Sequence, residues 1–347
     1  MKSLLRLLLK THHQRNRSEP AQTDKGMTLV ELLVGSIMAF LIITPMIGFV
    51  VDMLNTDRRE QVKSNTEQDI QAAVDFIAQD LSQAIYIYDG KGITDIKTKL
   101  PANDPTKIPI LVFWKRQQIK NSVPINSDIK PNKCSQDENA GKCNDTYVLS
   151  LVAYYQFKDT EATWCQPSGG TAGNCPTRIA RYEIRDGIRK PDPVAADNNL
   201  PYYNEDDTDD TQERHPAFNK EFDFSNPTKD VTLLGSPTTA APTEQVLVNY
   251  IDHTKVSTTD ECKTALGNPT DPKDPTKSLE DKTLKVSDGE TNSFYACVDT
   301  ARNIARVTIR GNSLRRLQAN GAEFKTTSSA YFPTATVQVQ GLGAVGK

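Results

Sequence analysis

A predominantly apolar run extends from Met27 to Val51, and its one ionisable residue is Glu31. At about 25 residues it is long enough to span a bilayer as a helix with some tilt. Asp52 opens a polar stretch without Gly or Pro until Asp89-Gly90. Within it Leu54, Val62, Ile70, Val74, Ile77, Leu81 and Ile85 recur at helical spacing, with Ala73 and Ala84 beside them. Such a stripe predicts an amphipathic helix. The segment around 56–66 is the most polar part. One helix is therefore expected to leave the apolar run, pass partly exposed, and lay its stripe on a head, with Asp89-Gly90 as the turn that ends it. About 60 residues of helix would measure about 90 Å.

The remainder reads as β-rich. Ile108–Trp114 is a buried strand candidate with Pro109 near its start, and Tyr147–Phe157 is a second. Thr177–Arg185 alternates, with Ala180, Tyr182 and Ile184 on one face and Arg181, Glu183 and Arg185 on the other. Val246–Ile251, Ser293–Val298, Ile304–Arg310 and Thr334–Gln340 follow. In Ile304–Arg310, Ala305, Val307 and Ile309 oppose Arg306, Thr308 and Arg310. This alternation predicts an antiparallel sheet with one wet face, the helix stripe covering the other. Two long loops are expected: 192–242, and an extended surface segment around Asn268–Pro275. The fold class is α+β, in four parts: 1–26, the apolar helix 27–51, its amphipathic continuation 52–89, and a β-rich, loop-rich head 90–347.

Inside the apolar run, Pro45 removes one backbone hydrogen bond and crowds the carbonyl of Leu41. Gly35 and Gly48 weaken helix propensity nearby. Two readings stay open: a tolerated transmembrane kink, or a segment that extends or melts as the subunit changes surroundings.

Charge sets the orientation. The chain has 347 residues and a formal net charge of -3. Removing the six basic and two acidic residues of the first 26 from totals of 41 and 44 leaves a net charge of -7. A basic N-terminal segment before a single apolar span predicts that segment inside and the bulk outside. An acidic bulk argues against a nucleic-acid partner. Six cysteines lie in the outside portion, and an even number there reads as disulfides with 15 connectivities open. Proximity favours Cys134–Cys143, Cys165–Cys175 and Cys262–Cys297. No zinc spacing occurs, no metal site is assigned, and no cofactor is expected.

A lone carboxylate in an apolar span is costly and marks function. Gly26 directly precedes Met27, and Glu31 is the fifth residue counted from Met27. Lys25-Gly26-Met27-Thr28-Leu29-Val30-Glu31 resembles the type IV prepilin signature. The resemblance implies a leader cut after Gly26 by a prepilin peptidase, N-methylation of Met27, and a pilin-like fold with a long N-terminal helix packed on an antiparallel sheet. It also implies that Glu31 pairs with the freed α-amine of a neighbouring subunit and sets axial register. A secretory signal peptide fits poorly, because Leu4–Leu9 is short and broken by Arg6. An ordinary signal anchor explains the span and the charge bias, but not Gly26 or Glu31.

Other chemistry is less pointed. Glu205–Asp210, and Asp137-Glu138 with Asn144-Asp145, are acidic enough for Ca²⁺ but lack EF-hand spacing, and acidic loops are ordinarily just solvated. His215 and His253 stand beside no recognisable nucleophile motif, so no enzyme is expected. Trp114, Trp164, Tyr154, Tyr155, Tyr202 and Tyr203 could stack on sugars, although such residues more often fill cores. Arg310, Arg315 and Arg316 could form a basic patch, a solvated strand end being the plainer reading.

A narrower resemblance comes from Ile70–Asp89, Phe294-Tyr295-Ala296-Cys297-Val298-Asp299, Ile309-Arg310-Gly311-Asn312 and Tyr331-Phe332-Pro333-Thr334-Ala335. These look like cyanobacterial pseudopilins of hormogonium polysaccharide secretion, and are similar also to PilW-type minor pilins. The middle of the chain, 115–250, carries no such resemblance. The family implies an inner-membrane subunit, assembled with other pilin or pseudopilin subunits at an assembly platform into a filament for polysaccharide secretion and gliding motility. The alternatives are a minor pilin for pilus priming, adhesion or DNA uptake, a membrane-anchored glycan-binding protein, and an anchored hydrolase.

Overall fold

The computed structural model describes residues 28–102, 104–126, 128–161, 163–165, 175–190, 202–203, 205–219, 222, 227, 242–255, 261–289, 291, 293–318 and 320–344. The chain divides into two units, 1–58 and 59–347. The architecture is α+β, with a long N-terminal apolar helix, antiparallel sheets and three disulfides.

Helix α1 runs Leu29–Ser82. Its first part presents apolar side chains to the outside on every side, from Leu29 through Leu54. Length and composition suffice to cross a bilayer, a test that an N-terminal signal sequence also passes. In the second unit the predicted stripe is buried: Ile70, Ala73, Val74, Ile77 and Leu81 are all sealed. Burying each of the larger aliphatic side chains contributes about 1.5–3 kcal/mol.

The helix ends earlier than its periodicity predicts. Residues after Ser82 form strand β1, Ala84–Ile87, paired antiparallel with the long strand β2, Lys107–Pro124. Ile85, Tyr86 and Ile87 suit either period, and pairing with β2 decides for strand. Asp89 then starts an element rather than ending one. It caps helix α2, Gly90–Ile96, its Oδ1 accepting from the Gly92 N–H at 2.7 Å.

β2 continues into β3, Cys143–Lys158, β4, Thr177–Arg185, and β5, Gln245–Ile251, giving a five-stranded antiparallel sheet in chain order. Along β4 neither face is wet, contrary to the alternation read from Thr177–Arg185. The face of Arg181 and Glu183 meets α1 through Asp80. The face of Trp114 and Tyr182 is covered elsewhere: Phe222 stacks on Trp114 at 4.0 Å and Phe218 meets it edge-on at 6.0 Å. The Trp114 indole donates to the Tyr88 hydroxyl at 2.8 Å, and that hydroxyl donates to the Pro227 carbonyl at 2.6 Å.

Short helix α3, Glu261–Ala265, leads into a small hairpin of β6, Thr270–Asp271, and β7, Asp274–Ser278. The expected extended segment is thus a hairpin, its turn held by Asp271 Oδ1 accepting from the Lys273 N–H at 2.8 Å. After α4, Asp281–Leu284, come β8, Lys285–Val286, β9, Phe294–Asp299, β10, Ile304–Arg310, short helix α5, Leu314–Leu317, and β11, Thr334–Gln340. The second sheet is antiparallel, in the order β11-β10-β9-β8. Here the predicted alternation holds in part: Ala305, Val307 and Ile309 are buried and Arg306 is partly exposed, but Thr308 is buried too and the Arg310 side chain is 13% exposed.

All three proximity pairings of cysteines form: Cys134–Cys143, Cys165–Cys175 and Cys262–Cys297. The third ties α3 to β9 over a small cluster with Leu266 and Leu284. Backbone contacts join the two sheets at two junctions, beside side-chain bonds such as that from Gln156 to Ser293. Asp252 donates its N–H to the Arg310 carbonyl, and Asn312 donates its N–H to Tyr250. At the other junction Gly341 and Gly343 press against the β1 backbone at Ala84 and Ile85. A Cβ on Gly343 would collide with the Ile85 carbonyl, which cannot swing aside. Gly343→Ala is expected to destabilise the head by about 1–3 kcal/mol, read as a lowered Tm of the full-length protein in detergent.

Candidate functional site

The first turn of α1 carries the sequence-predicted acid. Glu31 Oε2 accepts from the Thr28 N–H and from the Thr28 hydroxyl, each at 3.3 Å. The Glu31 N–H donates back to Thr28 Oγ1 at 3.3 Å. This is a capping box, Thr at the cap and Glu three residues on, and it satisfies donors that a helix start leaves open. The carboxylate also lies at the positive end of the helix dipole. Thr28 was not singled out from the sequence, although Thr-x-x-Glu before an apolar run is its signature. Gly26 and Met27 lie outside the described residues.

Pro45 sits within α1, and the helix continues through it. The Thr44 hydroxyl donates to the Phe40 carbonyl at 2.8 Å, and the Ser36 hydroxyl to Leu33 at 2.8 Å, so polar side chains here bond the helix itself. Gly35 and Gly48 have nothing within 4 Å of an added Cβ. Around them Leu29, Phe40 and Phe49 are 83%, 72% and 71% exposed. An apolar surface of this kind calls for lipid or other apolar helices around it.

A second polar constellation fixes α1 on the head. Asp80 Oδ2 accepts from Arg181 Nε at 2.7 Å and from the Tyr154 hydroxyl at 2.6 Å, while Oδ1 pairs with Lys115 Nζ at 3.0 Å. Glu183 closes the ring, 2.6 Å from Arg181 Nη2 and 3.2 Å from Lys115 Nζ. Burial pushes both carboxyls up, but Lys115, Arg181 and their hydrogen bonds outweigh it and hold both below the ordinary carboxylate value. Burial and the Asp80 charge push the Tyr154 hydroxyl up. Asp80 was missed in sequence; its signal is an acid three residues after Ile77, at the edge of an otherwise apolar stripe.

The remaining candidates have structural employment. Trp114, Tyr154 and Tyr155 are sealed in the core, so their faces are closed to a sugar. Trp164 lies under the Arg178 guanidinium at 4.5 Å, and Tyr202 donates to Asp186 at 2.6 Å. Tyr203 faces Lys190 at 5.8 Å. The arginines do not form a patch, nor a solvated strand end: Arg310 pairs with Asp252 at 2.8 Å, Arg315 is fully buried, and Arg316 pairs with Asp69. His253 Nε2 lies 3.1 Å from Arg315 Nη2 and must be the acceptor, since guanidinium only donates. Burial, then Arg214 and Arg185, hold His215 below the ordinary imidazole value, and its Nδ1 accepts from the Ala217 N–H. Asp145 is held by Gln118 and the Asn121 N–H, and Asp207 pairs with Lys130 at 2.6 Å. Among the described residues no group of three or more His, Cys, Asp or Glu side chains is placed to hold a metal.

No protein-family model, curated protein or solved structure matches the chain.

Proposed function

We propose that the protein is a minor pseudopilin or pilin, processed by a prepilin peptidase and assembled from the inner membrane into a type IV pilus-like filament. One observation carries this reading: a carboxylate in the first turn of a long helix that is apolar all round, joined to a disulfide-pinned head. A plain anchor needs no acid in its apolar run, where a charge is costly, by up to about 2.5–3.5 kcal/mol at the centre of a span on insertion scales. An assembling bundle has a use for it, because a freed α-amine of a neighbour would offset that cost. The Thr28 contacts support the same reading, since they give the carboxylate partners while the subunit waits in the bilayer.

In this reading the leader faces the cytoplasm and the head lies outside, where its disulfides form. Partners are the peptidase, other pilin-like subunits, and the membrane assembly platform. The filament would serve polysaccharide export and gliding motility, powered by a separate ATPase, and the subunit itself would catalyse nothing. The rival within the class is a minor pilin that primes the main pilus. The glycan-binding alternative draws less support, since Trp114, Tyr154 and Tyr155 are core residues.

Cleavage provides the test. N-terminal sequencing of the membrane-extracted protein is expected to start at Met27. Gly26→Leu is expected to leave the leader attached, a mass increase of about 3 kDa at about 110 Da per residue. A wild-type N-terminus at Met1 would sink the prepilin reading.

A further inference from the structure

A strap, residues 205–219, is fastened along the end of β4 and the residues that follow it. The His215 N–H donates to the Arg185 carbonyl and the Ile188 N–H to the Gln212 carbonyl, both at 2.9 Å. Arg185 Nη2 donates to the Asp210 carbonyl at 2.6 Å, and Gln212 Nε2 to the Pro131 carbonyl at 3.2 Å. Gly187 lies so close to the strap that an added Cβ would stand 2.6 Å from the Arg214 nitrogen. Beyond His215 the strap turns inward. Ala217 and Phe218 are each 2% exposed, and Phe218 meets Trp114 edge-on at 6.0 Å.

One imidazole holds that turn. His215 Nδ1 accepts from the Ala217 N–H at 3.1 Å, and the His215 carbonyl accepts from the Phe218 N–H at 2.8 Å. A nitrogen that accepts carries no proton, so the neutral ring has its proton on Nε2. A further proton then has one place to go, which is Nδ1 itself. Its arrival sets two donors face to face and takes the acceptor from the Ala217 N–H. A buried N–H left unpaired is costly, and opening the turn to water relieves it.

The charges around the ring oppose the same proton. On the strap, Arg214 Nη1 donates to the His215 and Phe218 carbonyls at 3.3 and 2.9 Å, which keeps its guanidinium beside the ring. Arg185 comes from β4. Three acids, Glu183, Asp210 and Glu213, line the same cavity of about 410 Å³. Glu183 is held by Arg181 and Lys115. Asp186, after β4, is taken by Arg189 and the Tyr202 hydroxyl. The β2–β3 connection, which meets the strap at Pro131, brings Lys130, and that pairs with Asp207. With all of these present, burial first, then Arg214 and Arg185, hold the imidazole below its ordinary value.

We infer that His215 is an acid-sensitive latch, whose protonation at Nδ1 frees the 215–219 turn of the strap and uncovers Trp114. The sign follows from linkage. In the released turn the imidazole titrates near its ordinary value of about 6.5. In the latched turn it titrates lower. The latch is therefore at full strength above about pH 6.5 and weakens as pH falls below that, until the lowered latched value is passed. The Asp80 ring is still intact in this range, so the turn opens while α1 stays on the sheet. The latch belongs to the head alone and does not depend on the filament reading.

Hydrogen exchange of the full-length protein in detergent tests it, with rates corrected for the intrinsic effect of pH. Exchange in the 215–219 turn is expected to be at least about threefold faster at about pH 5 than at about pH 7.5, each tenfold standing for one pH unit between the released and latched values. Peptides of β3 and β4 are expected to keep their protection at both pH values. His215→Asn puts an amide oxygen where Nδ1 stood, able to accept from the Ala217 N–H in an Asx turn and unable to take a proton. It is expected to abolish the acid response. His253→Asn, at the other histidine of the described residues, is expected to leave the response as in wild type. Equal exchange of the wild-type turn at the two pH values would overturn the proposal. So would a response that survives His215→Asn, one that is lost in His253→Asn, or one shared equally by β3 and β4.

Discussion

Glu31→Val is expected to cut recovered filaments at least tenfold while the head stays folded with its three disulfides. The substitution removes the lone charge of the apolar run, so insertion into the bilayer should become easier, not harder. It also removes the two carboxylate contacts to Thr28, although the backbone N–H of position 31 still donates to Thr28 Oγ1, so only half of the capping box is lost. Glu31→Gln separates the two roles. Gln serves at the third position of a capping box but carries no charge. If the carboxylate acts between subunits, both variants lose filaments alike. If Glu31→Gln assembles normally, capping is the whole of its role. Filaments would be counted by electron microscopy, and head folding read from non-reducing gel mobility and circular dichroism.

Asp80→Ala is expected to destabilise the head by about 3–5 kcal/mol, the cost of leaving buried cations without their acid. Lys115 and Arg181 would keep Glu183 as their only acid, and the Tyr154 hydroxyl would lose its acceptor. The same residue shapes the response to acid. The folded-state Asp80 carboxyl is held below its ordinary value, so its stabilisation is fully present above about pH 4. It is lost as pH falls through the lowered folded value. Glu183 acts in the same sense. Below about pH 4 wild-type protein should therefore lose urea resistance more steeply than Asp80→Ala does. Equal slopes, or a variant as stable as wild type at pH 7, would show that this ring does not hold α1 on the sheet.

The apolar run was legible from its length and composition, and the helix stripe and most strands because burial follows their periods. Thr177–Arg185, Ile304–Arg310 and Thr334–Gln340 appear with the bounds read from alternation. Disulfide pairing was legible from proximity. Three features were not. Residues 84–87 fit helix and strand equally, and only pairing with β2 decides between them. Arg181 and Glu183 read as a solvated face because charge is normally wet; here Asp80 arrives from α1, a contact 101 residues away in sequence. The β6–β7 hairpin depends on an Asx turn inside a proline-rich segment whose composition suggests extension. At the candidate site Glu31 is legible from its surroundings, while Thr28 is not, because a neutral hydroxyl before an apolar run stands out only once its contacts to Glu31 are seen.

Secretion and pilus priming separate by phenotype: a deletion strain with normal pili and lost polysaccharide indicates a dedicated secretion pseudopilin. The central claim is assembly after cleavage, and the most direct measurement is mass spectrometry of sheared surface filaments from wild-type cells. The protein is expected in that fraction with Met27 at its N-terminus. Its absence from the fraction, with all of the protein in the membrane starting at Met1, would contradict it.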